Sequence, residues 1–418
     1  MSFEKYFKQI VEAALDEEHR AAVARAVDKY MARKEASLRR LKVKEWAEEL
    51  KEIRRETLSR VRELVGQAMD SMKDQGMNVY LAKDAEEANR LILELMGEEK
   101  ELLKVKSLTS EEIELNEYLE RHGVQVWETD VGAILLQLLK WKPSHPTGVS
   151  ITVSRRRAAE AYSKLAGRKL PDDPKELVSF VRSFVRRKAL EVKVGFSGAN
   201  AIAADVGLIY ILTNEANDRL VTTLPEKHIV LAGIEKIMPD RYTCELYSKV
   251  VPVYATGGAT VTFMSTIGLS RSNDIERITV SPASGPSELH VILLDNGRFS
   301  MLDHPEFKEA LTCIKCGGCL YVCPVWNAAG GFFSGEGPYM GGFGTAWTLF
   351  TRGLEAAALQ AFTCTLCGRC REVCPMGIDT PKLVLKVREL AAEKGVLPPT
   401  LQRMAEGILE RGTPYLEG

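Results

Sequence analysis

Apolar and charged positions alternate with a helical period through the first 75 residues. Apolar side chains recur at Leu38, Leu41, Trp46, Leu50, Ile53, Leu58, Val61 and Leu64. Spacings of three and four residues place such side chains on one face of a helix, so the pattern predicts an arm of long amphipathic helices over residues 1–75. This arm either packs against its own chain or presents a surface to a partner subunit, and amphipathicity does not separate the two.

Short apolar runs alternate with helical segments through residues 76–303. Runs typical of strands occupy 78–82, 102–108, 124–128, 206–212, 228–232 and 289–295, and residues 84–98 have the pattern of a helix. This alternation predicts an α/β domain with a parallel sheet covered by helices. Residues 250–270 carry no charge but are interrupted by proline and glycine. We expect buried strands there and not a membrane span.

Composition and charge narrow the classes of function. The chain of 418 residues has 56 Lys and Arg against 57 Asp and Glu, a formal charge of −1. This balance excludes a strongly basic nucleic-acid-binding protein. The first residues lack the basic segment and apolar run of a secretory signal. We therefore expect a soluble, cytoplasmic protein with no transmembrane segment and no nucleic acid among its partners.

Eight of the nine cysteines lie between Cys313 and Cys374. Disulfide frameworks belong to small secreted domains, so clustered cysteines in this long chain indicate a metal site. The spacing C-x2-C-x2-C-x3-C-P occurs twice, from Cys313 to Pro324 and from Cys364 to Pro375. This is the run of bacterial ferredoxins with two clusters. Structural zinc, the alternative, needs four tetrahedral ligands and does not require a third cysteine and a proline twice over.

In such a run the fourth cysteine binds the cluster of the other run. We therefore predict two [4Fe–4S] clusters with crossed ligands. The first would be held by Cys313, Cys316, Cys319 and Cys374, and the second by Cys364, Cys367, Cys370 and Cys323. Cys244 lies outside this spacing and is expected to be a lone buried thiol. The pattern predicts an α-helical ferredoxin domain over residues 304–395, followed by a C-terminal tail over residues 396–418.

A polar string lies between two strand patterns of the central domain. A glycine-rich turn over residues 195–198 precedes an expected short helix and a strand. Residues 213–228 are then denser in Asn, Arg, Thr and His than a connecting loop requires. Backbone N–H groups at such a turn can hold an anion, and a tight turn explains the glycines equally well.

Several motifs of the chain resemble one known family, the B-type iron–sulfur proteins of lactate utilization. They are T-N-E-A-N-D-R-L-V-T-T-L-P ending at Pro225, G-I-E-K-I from Gly233, D-N-G-R ending at Arg298, and P-S-H ending at His145. The resemblance covers roughly residues 75–390. It implies a central LUD-type domain similar to the sugar-phosphate isomerase and CoA-transferase-like fold, followed by a helical ferredoxin domain with two clusters.

The resemblance also implies a ligand pocket in the central domain. Its residues would be Asn200, Asp205, Asn214, Glu215, Asn217, Arg219, Thr222, Thr223 and His228. A guanidinium such as that of Arg219 can bind a carboxylate with two hydrogen bonds. The imidazole of His228 can exchange a proton near neutral pH. A buried core histidine is the alternative for His228, and a structural network is the alternative for the whole string.

By this resemblance the chain is the iron–sulfur electron-transfer subunit of a complex that oxidises L-lactate, or a similar 2-hydroxy acid, to the 2-oxo acid. The expected partners are a cysteine-rich-domain subunit, a smaller LUD-type subunit or a flavoprotein, with any membrane association peripheral and through those partners. The chain is not expected to be catalytic alone. Two alternatives stay open: a ferredoxin-like adaptor of another oxidoreductase complex, and a ligand-binding enzyme of the isomerase and CoA-transferase-like fold with accessory clusters.

Overall fold

A computed structural model describes residues 1–415, and its chain begins with four consecutive helices. They are α1 (Phe3–Leu15), α2 (Glu17–Arg40), α3 (Val43–Leu58) and α4 (Val61–Asp74). Side chains cap the first two, because Ser2 accepts from the Lys5 N–H and Asp16 accepts from the His19 N–H. The long helices that the apolar pattern predicts are therefore present.

The helical arm packs against its own chain. Val23 and Tyr30 of α2 share a hydrophobic cluster with Leu320, Trp326 and Met340 from the cysteine region. Burial of these apolar side chains is the main stabilising contribution of such an amphipathic helix. The contacts favour the first interpretation of the arm.

The central region contains all ten strands that the structure assigns within residues 1–415. The strands are β1 (Asn78–Ala82), β2 (Glu101–Lys104), β3 (Gln125–Glu128), β4 (Val194–Gly198), β5 (Ala201–Ala203), β6 (Leu208–Thr213), β7 (Lys227–Gly233), β8 (Ile237–Met238), β9 (Phe263–Ile267) and β10 (Glu288–Leu294). The helices are α5 (Ala85–Met96), α6 (Leu108–Glu112), α7 (Leu115–Arg121), α8 (Val131–Leu139), α9 (Arg155–Ala166), α10 (Pro174–Glu191), α11 (Asn217–Thr223), α12 (Arg241–Thr256) and α13 (Arg298–Asp303), with a 3-10 turn at Ile234–Lys236.

Six of these strands form a parallel sheet in the order β1-β10-β7-β4-β2-β3. Both of its faces are buried. In β7, Ile229 and Leu231 pack on one side with residues of α5 and α7, whereas Val230 and Ala232 pack on the other with residues of α4 and the smaller sheet. Burial on two faces explains why the strands read as continuous apolar runs. The predicted α/β domain with a parallel sheet is confirmed.

The order of the strands reverses between β2 and β4. From β2 the chain moves outward to β3, and from β4 it proceeds through β7 and β10 toward the opposite edge. The loops that follow β2 and β4 therefore diverge. In open parallel sheets, the crevice at the carboxyl ends of two such strands is the usual place for a ligand.

The smaller sheet has the order β8-β5-β6-β9, and it corrects one expectation. Residues 195–198, expected to form a glycine-rich turn, lie in β4 and pair with β7. The short helix expected after them is instead β5, which pairs antiparallel with β6. Its three residues are fully buried. Pairing and burial therefore outweigh the helical propensity of the two alanines.

The uncharged stretch over residues 250–270 is likewise not a set of buried strands. Its first part completes α12, with Pro252 inside the helix. Its second part contains β9, an edge strand whose side chains are partly or fully exposed. Val250 and Val253 of α12 belong to a hydrophobic cluster that also contains Leu50 of the arm and Trp347 of the cysteine region. In the first part of the stretch, the absence of charge reflects burial of this helix between two other parts of the chain.

The cysteine region is helical. Its helices are α14 (Pro324–Ala329), α15 (Gly341–Arg352), α16 (Leu354–Thr363), α17 (Arg369–Glu372), α18 (Thr380–Glu393) and α19 (Pro399–Arg411), with 3-10 turns at Lys308–Thr312 and Gly330–Phe332. Helices α15, α16 and α18 pack against one another. The predicted tail contains α19, and its last residues, 416–418, lie outside the described part of the chain. Across residues 1–415, no helix combines the length and apolar character needed to cross a bilayer.

Candidate functional site

The first cysteine run forms a tight loop in which two residues have left-handed backbone angles. Lys315 has φ 56° and Gly317 has φ 73°. The N–H of Lys315 donates to Cys313 Sγ at 3.4 Å. Turns of this kind direct backbone N–H groups into anion-binding concavities, as at many iron–sulfur sites.

The second cysteine run repeats this geometry. Leu366 has φ 54°, Gly368 has φ 79°, and the N–H of Leu366 donates to Cys364 Sγ at 3.5 Å. A left-handed residue other than glycine costs about 1–2 kcal/mol. Its recurrence at the same position of both runs indicates that the two loops are shaped for the same kind of ligand.

The fourth cysteine of each run lies against the other run. Burial raises the pKa of the Cys316 thiol to about 12, with Cys313 and Cys374 close enough to contribute. Burial also raises the pKa of Cys323 to about 11, with contributions from the second run. A single cavity is lined by Cys323, Cys364, Cys367 and Cys370. The structure therefore places Cys374 near Cys313 and Cys316, and Cys323 near Cys364 and Cys367, while the assignment of crossed ligands stays a prediction.

The surroundings of the thiols suit thiolate ligands. Backbone N–H groups of the second and third residues after Cys323 act against the rise in its pKa. Those of the second to fourth residues after Cys374 do the same for that thiol. Donor groups near a sulfur stabilise its anionic form. The residues fit a four-iron cluster in each set, which would supply electron transfer at a potential tuned by hydrogen bonds, charge and burial.

In the part of the chain that the structure describes, no three His, Cys, Asp or Glu side chains are grouped as ligands of one metal ion. Structural zinc needs four ligands within about 2.0–2.3 Å of one centre.

The two sets differ in their electrostatic surroundings. Lys34 lies close to the thiols of Cys316 and Cys319, and Arg54 lies close to Cys313. Positive charge near a cluster favours its reduced state. In the second set, by contrast, Cys367 is exposed. Cations thus lie near both sets, since Arg388 is close to Cys364, but only the second set has an exposed cysteine.

The polar string of the central domain is divided between two cavities. One, of about 260 Å³ at the carboxyl ends of β2 and β4, is lined by Asn200, Asn214, Glu215 and Asn217. The other, beside β9, is lined by Arg219, Thr222, Thr223 and His228. Asp205 lines neither of these cavities. Successive residues of α11 point in different directions around the helix, so neighbours in the string separate.

Two residues of the second cavity have internal partners. His228 is fully buried, and its Nε2 lies 2.8 Å from Ser197 Oγ. Burial lowers the pKa of His228 to about 3, so the imidazole is neutral near pH 7. The guanidinium of Arg219 lies 4.6 Å from the centre of the Phe263 ring. These contacts favour a core histidine at 228.

Comparison with known proteins identifies the family. The LUD domain profile matches residues 65–294, and the 4Fe-4S dicluster domain profile matches residues 309–378. Lactate utilization protein B of Bacillus subtilis is 32% identical over 405 residues, which cover 96% of this chain and 82% of that protein. The chain belongs to the lactate utilization protein B family. The family member from Bacillus licheniformis is also 32% identical, over 97% of this chain and 84% of its own length. The member from Macrococcus caseolyticus is 32% identical over 98% of this chain and 85% of its own length.

The dicluster match includes all eight clustered cysteines, so this member of the lactate utilization protein B family is an iron–sulfur protein. A solved structure of a DUF162 family protein from Deinococcus radiodurans aligns with 56% of this chain and 98% of its own. Its identity is 13% and its TM-score is 0.31.

In this family member, His145 supports the first cysteine loop. Its Nε2 lies 3.1 Å from the carbonyl oxygen of Gly317, and its ring packs against Tyr321 and Trp326. A Cβ atom on Gly317 would lie 2.7 Å from the imidazole. The P-S-H motif therefore acts beside the cysteines, a role that only the folded chain reveals.

A buried network of charged side chains links the two domains of this family member. The sequence alone does not predict this network. Arg298 donates to Glu112 and Glu235, and all three side chains are buried. Tyr339 donates to Glu112, and Lys315 Nζ lies 3.7 Å from Glu235. The D-N-G-R and G-I-E-K-I motifs contain Arg298 and Glu235. The motifs drew attention to Arg298 and Glu235 in the sequence, but only the folded chain shows that these two residues bind each other.

Proposed function

We propose that this chain is the iron–sulfur electron-transfer subunit of a complex that oxidises L-lactate, or a similar 2-hydroxy acid, to the 2-oxo acid. Two [4Fe–4S] clusters would be held crosswise, the first by Cys313, Cys316, Cys319 and Cys374 and the second by Cys364, Cys367, Cys370 and Cys323. The observation that carries the proposal is the proximity of each run's fourth cysteine to the other run, in a chain whose relatives are named for lactate utilization.

The placement of the two sets supports a path for electrons through the chain. Cys319 of the first set also lines the cavity of the second, and Cys370 contributes to the raised pKa of Cys319. The cysteines of the first set are buried or half-buried, whereas Cys367 of the second set is exposed. A partner that docks at Cys367 would therefore meet the second set first.

The proposed partners are a cysteine-rich-domain subunit, a smaller LUD-type subunit or a flavoprotein. A cytoplasmic location belongs to the same proposal, because a reducing compartment keeps thiols available for iron. The chain would depend on these partners for turnover.

A second candidate function is a ligand-binding enzyme of the isomerase and CoA-transferase-like fold. The cavity at the reversal of strand order favours it, because that crevice is where such sheets bind ligands. Such an enzyme would turn over its substrate without partners, whereas an electron-transfer subunit would not.

The experiment is anaerobic purification of the full chain, followed by iron analysis and electron paramagnetic resonance. Two four-iron clusters predict about eight iron atoms per chain and two reducible signals. Adding L-lactate should reduce these clusters when the co-expressed partner subunits are present and not with the chain alone. Near-zero iron, bound zinc, or substrate turnover by the isolated chain would contradict the proposal.

A further inference from the structure

Lys34, a buried lysine of helix α2 in the helical arm, lies among aromatic side chains. It is 9% exposed, and its Nζ lies 4.7 Å from the centre of the Tyr254 ring and 5.5 Å from that of Tyr30. A lysine is seldom buried to this extent without a partner of opposite charge. The ring faces attract its ammonium group but carry no net charge. The negative partner of Lys34 must therefore come from another part of the chain.

The charged groups close to Lys34 are cysteine thiols. Burial lowers the pKa of Lys34, whereas Cys316, Cys319 and Cys374 oppose the shift. No carboxylate of residues 1–415 is among the groups that affect this pKa. The three cysteines are members of the first predicted set of cluster ligands. Thiolates bound to iron would therefore supply the negative charge that Lys34 lacks.

The other cations near the first set have a carboxylate beside them. Burial lowers the pKa of Lys236 and of Lys315, whereas Glu235 and Cys313 oppose the shift. The carboxylate of Glu235 compensates part of the positive charge at these positions. The charge of Lys34 is not compensated in this way, so it acts on the first set undiminished.

The arm holds Lys34 against the first cysteine loop. Tyr30 Oη donates to the carbonyl oxygen of Tyr254 at 2.9 Å. Gly318 of the loop approaches so closely that a Cβ atom there would lie 2.9 Å from Tyr30 Oη and 2.6 Å from the Tyr254 carbonyl oxygen. Lys34 follows Tyr30 by one helical turn, so both side chains lie on the same face of α2. In such a buried contact, a charge acts more strongly than it would in water.

Reduction of an iron–sulfur cluster by one electron adds one negative charge and breaks no bond to the chain. A fixed positive charge nearby stabilises the added charge and so raises the reduction potential. We propose that Lys34 raises the reduction potential of the first cluster, which makes the helical arm part of the electron-transfer site. The electron comes from the donor subunit of the proposed complex, which is oxidised by one electron in the same step. The inference rests on the proposed function in requiring a cluster at Cys316 and Cys319.

The test is a redox titration of the anaerobically purified, iron-containing full chain, followed by electron paramagnetic resonance. The signal that disappears in Cys316→Ser identifies the first cluster. At a fixed potential, Lys34→Met should lower the ratio of reduced to oxidised first cluster by roughly tenfold, a shift of about 59 mV for one electron. Lys34→Arg keeps the charge, and its ratio should stay within roughly threefold of the original.

Lys29→Met is the matched control, because it removes the same charge from the exposed side of α2. Water and salt screen that charge, so the ratio should change by less than about twofold. The second cluster, whose signal disappears in Cys367→Ser, is an internal control. Lys34→Met should change its ratio less than that of the first cluster, because the listed neighbours of Lys34 belong to the first set.

Three outcomes would overturn the inference. They are an unchanged ratio in Lys34→Met, an equal change in Lys29→Met, and the same loss in Lys34→Arg as in Lys34→Met. Lys34→Gln replaces the Met variant if that variant loses its iron. If L-lactate reduces both clusters of the assembled complex while Lys34→Met leaves the ratio unchanged, only this inference fails. An unaltered chain without iron would refute the proposed function, and this inference with it.

Discussion

The guanidinium of Arg298 binds the carboxylate of Glu112 through two parallel hydrogen bonds, Nη1 to Oε1 at 2.9 Å and Nη2 to Oε2 at 2.8 Å. Both side chains are buried, and Glu235 accepts a further bond from Arg298 Nε. The two carboxylates belong to the central domain and are also bonded or close to Tyr339 and Lys315 of the cysteine region. This network therefore couples the two domains.

Replacing Arg298 by Met should destabilise the protein by about 3–5 kcal/mol, because two buried carboxylates lose their cation. The exposed pair Arg62–Asp303, with its atoms 2.8 Å apart, provides the control. Arg62→Ala should cost less than about 1 kcal/mol, since surface ion pairs contribute little. Denaturant unfolding under anaerobic conditions measures both, and equal losses in the two variants would contradict the role of the network.

Crossed ligation predicts which cysteine variants resemble each other. Cys374→Ser and Cys316→Ser should leave the same resonance signal, because each removes a ligand of the first cluster. Cys323→Ser and Cys367→Ser should likewise leave the same signal, because each removes a ligand of the second cluster. Cys244→Ala, outside both sets, should keep the full iron content. If Cys374→Ser instead matches Cys367→Ser, the ligands are not crossed.

The two equivalent glycines Gly317 and Gly368 should respond differently to alanine. Both have left-handed angles, which cost alanine about 1–2 kcal/mol. A Cβ on Gly317 would meet the ring of His145, whereas within the described residues nothing lies within 4 Å of one on Gly368. Gly317→Ala should therefore lose more stability and also lower the iron content. His145→Ala in the Gly317→Ala background should recover part of the loss, and the same iron content in both single variants would refute the steric argument.

Local patterns predicted the elements well where burial and periodicity agree. The helices before residue 75 and the apolar runs of β7 and β10 follow directly from the order of apolar and charged residues. The predictions were wrong for Ala201–Ala203 and for residues 250–270, where composition suggests one structure and contacts impose another. The conformation of each segment depends on residues elsewhere in the chain, which pair with β5 or pack against α12.

The amino-acid sequence by itself determined the iron–sulfur chemistry of this protein, because ligand spacing in a ferredoxin run is local and is written in consecutive residues. The tertiary structure decided which polar residues share a cavity, and it placed Lys236 beside the first cysteine loop. It also joined Arg298 to Glu112, which are 186 residues apart in the chain. Burial and charge pairing depend on such distant contacts, so they are settled only when the chain folds.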